Sequence, residues 1–205
     1  MAFNKILILI FSLSYLLVNT HAARTPEARL WNICKPTTNP ILCYKTIFPQ
    51  VINSSFNIYK ALEIEIFATQ KQVENTSSLM TTLLAKPGNS KDMIESLQTC
   101  KDQYNNILDS IQDALKQVAN RNAIEARFKF SAVLSFHSTC NDQFTNGNSP
   151  IANEAQVVYD LGGNCLDIMK AIEDKENRRK RGVTPILPPI TPPTGPCVGV
   201  IGLCG

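Results

Sequence analysis

Histidine is nearly missing from this chain of 205 residues: there are two, and His21 falls in a stretch that reads as a removable leader. A Ser/His/Asp or Cys/His catalyst needs a base beside an exposed nucleophile, and a zinc site wants several His or Cys ligands at fixed spacing. Neither assembles around the remaining His137, which lies on an apolar seam one turn before Cys140 and reads as a core or boundary histidine. No glycine-rich phosphate loop and no basic stripe with interleaved aromatics is present, which argues against a nucleotide or nucleic acid partner. No β-branched alternation is bounded by hairpin turns, so strands are not expected. Acidic pairs do occur, Glu63 with Glu65 and Asp109 with Asp113, but both read as solvated helix faces. We expect no enzyme, no metal and no cofactor; what remains is binding.

Long apolar runs are also absent beyond the first. Lys5 precedes an apolar stretch over residues 6–18, and Thr20-His21-Ala22 offers small residues before Ala23. Thirteen residues are too few to span a bilayer, which takes about 20, so residues 1–22 are expected to be a cleaved secretory signal. The apolar end VGVIGL is too short for a lipid-anchor signal, and no membrane partner is implied. Secretion makes disulfides the default reading of cysteine. All seven cysteines lie after the leader.

The mature chain then reads as helices. Two short ones, broken at Lys35-Pro36, carry Cys34 and Cys43; Asn39 can cap the second, with Pro40 in its first turn. A bridge between those cysteines would close a small helical hairpin over residues 23–54. Residues 55–86 place Tyr59, Leu62, Ile66, Val73, Met80 and Leu83 on one face, completed by Thr69 and Thr76. Pro87-Gly88-Asn89-Ser90 stops that helix and caps the next. From Lys91, the stripe is Ile94, Leu97, Tyr104, Leu108, Ile111, Leu115 and Val118. From Ala123 it is Ala126, Phe130, Val133, His137, Cys140 and Phe144. After the turn TNGNSP, Ile151, Ala155, Val158, Gly162, Cys165, Met169 and Ile172 mark a last helix. Four such helices with short loops predict an all-α, antiparallel up-and-down four-helix bundle over residues 55–174.

Beyond Asp174 the composition changes. Residues 24–174 hold 14 Lys/Arg against 16 Asp/Glu, a net of −2, whereas residues 175–205 hold 5 against 1, a net of +4. The run KENRRKRG is basic, and the sequence after it is rich in proline and without helical period, so an extended, solvated and disordered tail is expected over 175–205. The basic residues could contact an acidic polysaccharide or form a solvated linker, and residues 178–181 also resemble a processing site. Cys197 and Cys204 could pair across a small loop or link chains. Asn53 and Asn75 open N-glycosylation sequons, Asn53 in a loop and Asn75 within a helix.

Ile33-Cys34, Thr37, Pro40 and Cys43, the segments LQTCKDQY and SAVLSFHSTCNDQF, and Cys165 together resemble the plant invertase and pectin methylesterase inhibitor family over residues 30–172. The resemblance implies a helical hairpin leading into a four-helix bundle, with Cys34 bonded to Cys43, Cys100 to Cys140, and Cys165 a free thiol. Invertase-inhibiting members carry Pro-Lys-Phe between the second and third bundle helices. Here that stretch, QVANRNAIEARFKF, has no proline, and Phe128-Lys129-Phe130 sits inside the helical pattern, where packing is the simpler reading. The methylesterase branch is therefore the expected one: a 1:1 complex blocking the cleft of a pectin methylesterase in the cell wall or apoplast, with Asp102, Thr139 and Asp142 at the positions of polar contact. The alternatives are inhibition of acid invertase, or a secreted wall-associated helical protein that inhibits neither.

Overall fold

The computed structural model describes residues 25–51, 56–144 and 149–182. The leader, Asn53, Cys197 and Cys204 lie outside them. Six helices occur among the described residues, and no strand does. They are α1 (Pro26–Cys34), α2 (Pro40–Val51), α3 (Ile58–Leu84), α4 (Lys91–Ala119), α5 (Ala123–Asn141) and α6 (Ala152–Lys180).

Their starts follow from local chemistry. A helix leaves its first amides unpaired, and a short polar side chain just outside can accept from them. Asn39 Oδ1 accepts from Leu42 N at 3.1 Å, Asn57 from Lys60 N at 3.0 Å, Ser90 from Met93 N at 3.2 Å, and Asn122 from Glu125 N at 3.2 Å. Pro40 occupies the first position of α2, where a missing amide costs nothing. The helix expected over residues 55–86 starts at Ile58, because Asn57 caps it, and ends at Leu84. The last is longer: α6 runs six residues past Asp174, to Lys180. Its final turn carries Arg178, Arg179 and Lys180, cations that favour the negative end of the helix dipole.

Each long helix packs on its sequence neighbour, and α6 closes the ring on α3. Cross-helix pairs give the directions. Tyr59 reaches Glu176 and Glu65 reaches Asn164, so α3 and α6 run in opposite senses. Cys100 with Cys140 and Ser96 with Gln143 do the same for α4 and α5, as do Arg127 with Glu173 and His137 with Ala155 for α5 and α6.

Buried on the bundle axis are Leu62, Ile66, Val73 and Met80 from α3, Leu97, Tyr104, Ile107 and Ile111 from α4, Phe130 and Val133 from α5, and Val158, Ile168 and Met169 from α6. Removing each large side chain of this kind from water contributes about 1.5–3 kcal/mol. On α4 the buried stripe takes Ile107 and Ala114, while Leu108 and Leu115 stay half-buried. His137 belongs to this core: its Nε2 donates to the Ala155 carbonyl at 2.9 Å, and burial holds its pKa below the usual imidazole range against that bond.

The connection from α4 to α5 is only three residues long. Arg121 takes φ of 56° there, a left-handed conformation that costs a non-glycine residue roughly 1 kcal/mol. Asn122 N then reaches back to Gln117 O at 2.9 Å, which satisfies a terminal carbonyl of α4. The Arg121 side chain lies 4.7 Å over the Tyr59 ring, and its carbonyl accepts from the Tyr59 hydroxyl at 3.0 Å.

Candidate functional site: the outer groove of α4 and α5

Cys100 and Cys140 are bonded, with Cα atoms 4.6 Å apart, and the bridge is buried between α4 and α5. Its rotation of both helices determines what the outer side presents. Asp102, Asn106, Asp109 and Asp113 follow steps of four, three and four, one exposed stripe of α4. Thr139, Ser135, Ala132 and Phe128 trace the matching stripe of α5. A shallow groove runs between them, walled by Asn106, Asp109 and Asp113 on one side and by Phe128, Ser131 and Ser135 on the other. The antiparallel register puts Asp102 level with the turn that carries Thr139, at the disulfide end of this groove.

The two walls differ chemically. The α4 wall is acidic, and Lys116 beside Asp113, 2.8 Å away, holds its carboxyl below the usual range, with Lys129 across the groove acting in the same sense. The α5 wall offers hydroxyls and one aromatic. Phe128 is 68% exposed, with Lys129 Nζ 5.6 Å over its ring and 3.5 Å from Glu125. Phe130, on the core seam of the helical pattern as expected, is fully buried, whereas Phe128 is exposed. Residues two positions apart on a helix lie about 200° from each other, so both cannot face the core.

Asp102, Thr139 and Asp142 are all exposed. Thr139 Oγ1 donates to Ser135 O at 3.0 Å, and Asp142 terminates α5, its amide returning to Ser138 O at 2.9 Å. Asn75 is exposed on α3, while Thr76 of its sequon is buried and donates to Gln72 O at 2.8 Å. Cys34 and Cys43 are bonded, with Cα atoms 5.6 Å apart. Cys165 is an unbonded, buried thiol, 3.5 Å from Thr69 Oγ1, and burial pushes its pKa up.

Sequence reasoning missed how the hairpin is held. Asp167 accepts from both Thr38 N at 2.7 Å and Thr38 Oγ1 at 2.8 Å. Asn164 Oδ1 accepts from Asn39 N at 2.7 Å, and Asp160 from Asn39 Nδ2 at 2.8 Å. Three α6 side chains, spaced one turn apart, thereby clasp the turn between α1 and α2. Gly163 leaves room for it: a Cβ there would stand 2.5 Å from Thr38 Oγ1.

Below the clasp lies Glu65, expected on a solvated face but fully buried. Asn164 Nδ2 donates to its Oε1 at 2.8 Å, while Oε2 has no hydrogen-bond partner among the described residues. Burial pushes its pKa up to about 7, against the hydrogen bond from Asn164. Glu63 is the exposed member of that pair, 2.8 Å from Lys60. The buried Glu65 carboxyl is near enough to Cys165 to add to the rise of that thiol's pKa, and no group of three or more His, Cys, Asp or Glu among the described residues could hold a metal ion. Nor is any helix there long and apolar enough to cross a membrane. A site of this kind can offer a rigid surface.

The model of the plant invertase/pectin methylesterase inhibitor family matches residues 30–168. The chain is 22% identical over 160 residues to pectinesterase inhibitor 1 of Arabidopsis thaliana, covering 77% of this chain and 89% of that one. It is 31% identical over 71 residues to pectinesterase inhibitor 12 of the same plant, covering 34% and 41%. Two crystal structures of an Arabidopsis pectin methylesterase inhibitor share the fold. A mutant form aligns with a TM-score of 0.59 at 22% identity, over 67% of this chain and 93% of that one. The second aligns at 0.55 and 20% identity, over 72% and 98%.

Proposed function

The chain belongs to the plant invertase/pectin methylesterase inhibitor family, and on that premise we propose that it is a secreted inhibitor of a pectin methylesterase, acting as a 1:1 complex in the cell wall. The groove face of α4 and α5 lies across the cleft of the enzyme and keeps the polymer out. No bond is made or broken; inhibition is occlusion. The observation that carries this reading is the outer groove itself, braced from inside by the Cys100–Cys140 bridge. A surface already fixed in its bound shape loses less entropy on docking.

Two further features support the methylesterase as target. The connection from α4 to α5 is three residues long and has no proline, so it has no room for a protruding Pro-Lys-Phe element. Both relatives named above are pectinesterase inhibitors. An interface of standard size buries about 1,600 Å² in total, with a few residues dominating. Phe128, exposed at one end of the groove, is the aromatic anchor, and Asp102, Thr139 and Asp142 supply polar contacts at the other. Residues 178–181, exposed at the end of α6, add a salt-sensitive attraction to acidic pectin.

The test is a titration of pectin methylesterase and, in parallel, of acid invertase at mildly acidic pH. The esterase rate should fall linearly and break at equimolar inhibitor, with invertase unaffected. Phe128→Ala should weaken inhibition by about 2 kcal/mol, some thirtyfold, and Asp102→Lys should weaken it with the melting temperature unchanged. Inhibition of invertase alone would move the assignment to that enzyme. Neither rate changing at micromolar excess would end the inhibitor reading.

A further inference from the structure

The hairpin carries a second exposed surface, on the side away from the bundle. α1 buries only Leu30 and Cys34, and α2 only Cys43, Ile47 and Val51. Of their other residues, Ile33 and Phe48 pack against the core, while Glu27, Ala28, Trp31, Ile41, Tyr44 and Lys45 form a groove. Trp31 is 43% and Ile41 56% exposed. The aromatic rings form a ladder: Trp31 meets Tyr44 edge-on at 6.2 Å, and Tyr44 stacks on Phe48 at 5.0 Å. The Cys34–Cys43 bridge and the α6 clasp hold this ladder rigid. An exposed patch of large apolar side chains on a fixed support marks a binding surface.

What covers it can be argued from the chain itself. Beyond Gly182 the sequence continues for 23 residues and contains three abutting Pro-x-x-Pro tetrads, Pro185-Ile-Leu-Pro188, Pro189-Ile-Thr-Pro192 and Pro193-Thr-Gly-Pro196. Within each tetrad the two prolines, three apart, share one face of a polyproline II helix, and that face moves by a third of a turn from one tetrad to the next. Such a strand suits an aromatic groove. Its backbone is already restricted, so docking costs little entropy, and proline lacks an amide that a ladder of rings could not satisfy.

The reach is sufficient. Arg179, in the last turn of α6, borders the same hollow as Asn57 and Ile58 at the start of α3. The adjacent Phe56 carbonyl accepts from Arg29 Nη2 at 2.9 Å, and Arg29 neighbours Ala28 and Trp31 on α1. The end of α6 and the groove therefore share one end of the molecule. From Gly182 to Pro196 a polyproline II strand covers about 3.1 Å per residue, roughly 43 Å, several times the ~13 Å length of α1. We propose that the proline-rich tail folds back in cis onto the Trp31–Tyr44 groove and covers it.

Trp31 is the only tryptophan in the chain, so its fluorescence reads the groove directly. The full chain is compared with a chain ending at Gly182 and with full-length Pro188→Ser/Pro189→Ser/Pro192→Ser, at equal helicity. Both variants should shift Trp31 emission to the red and raise acrylamide quenching on the order of twofold, the ring having lost its cover. A synthetic peptide of residues 183–196, added to the shortened chain, should restore the blue-shifted emission. Identical emission and quenching in all three proteins would overturn the proposal. So would protection of Trp31 that grows with protein concentration, since the occupant would then be a second copy. Inhibition titres are read separately, because the groove lies on the hairpin and away from α4 and α5.

Discussion

Replacing Glu65 by glutamine should stabilise this protein at neutral pH and do almost nothing in acid. In the folded chain the carboxyl is buried, receives one hydrogen bond from Asn164 and leaves Oε2 unpaired, and its pKa rises from 4.5 to about 7. For an acid raised on folding, the stabilising contribution is full below the unfolded value and is lost as pH climbs through the folded one. At 1.36 kcal/mol per unit, the folded state forfeits about 1 kcal/mol by pH 5 and about 3 by pH 8. Glu65→Gln mimics the protonated acid, keeps the Asn164 bond and carries no charge to bury. His137 acts oppositely: its lowered pKa removes stability as pH falls below the ordinary imidazole value. It is common to both proteins and cancels in the difference. Thermal melts from pH 5 to 8 should therefore show the variant gaining about 2 kcal/mol on the parent across the range, or roughly 4–8 °C. Parallel curves would refute a buried, titrating Glu65. Mildly acidic pH keeps that carboxyl largely neutral, the state in which the bundle is most stable.

Gly163→Ala sets two effects against each other. Helix propensity favours alanine by about 1 kcal/mol, but the new Cβ, 2.5 Å from Thr38 Oγ1, costs about 1–3 kcal/mol in displaced packing and strained clasp bonds. A net loss in denaturant midpoint is expected, with amide exchange accelerated first in α1 and α2. Cys100→Ser/Cys140→Ser opens a 40-residue loop, worth about 4 kcal/mol in the chain-entropy model. Esterase inhibition should fall more steeply than helicity, as measured by circular dichroism at a temperature where both proteins stay folded.

The helices were legible because their determinants are local. Asn39-Pro40 and Ser90 each mark a start within four residues of the amide they cap, and the α5 stripe from Ala123 to Cys140 lies in the core as its spacing predicts. The site was legible in part. Asp102 and Thr139 could be placed on exposed faces, but the groove joining them needs two helices in a particular register. Phe130 lies on the apolar seam and Phe128 off it in the sequence, but that Phe128 lines a groove takes the neighbouring α4. On α4, Ile107 and Leu108 flank the same seam. A period of 3.6 alone does not decide which of them is covered more completely.

By itself the sequence determined the all-helical class, the order of the helices, the caps at Asn39 and Ser90 and the seams that carry the cysteines, since caps and periodicity act over a turn or two. Tertiary structure alone decided that Glu65 is inside, that Asn164 serves both Glu65 and Asn39, and that α6 grips the hairpin at Thr38. The physical reason is coverage. A helix declares one apolar stripe, yet α3 is packed by α4 and α6 and is capped by α2, so its buried surface is wider than its apolar one. The polar residues caught in that extra width are the ones whose roles only the assembled fold defines.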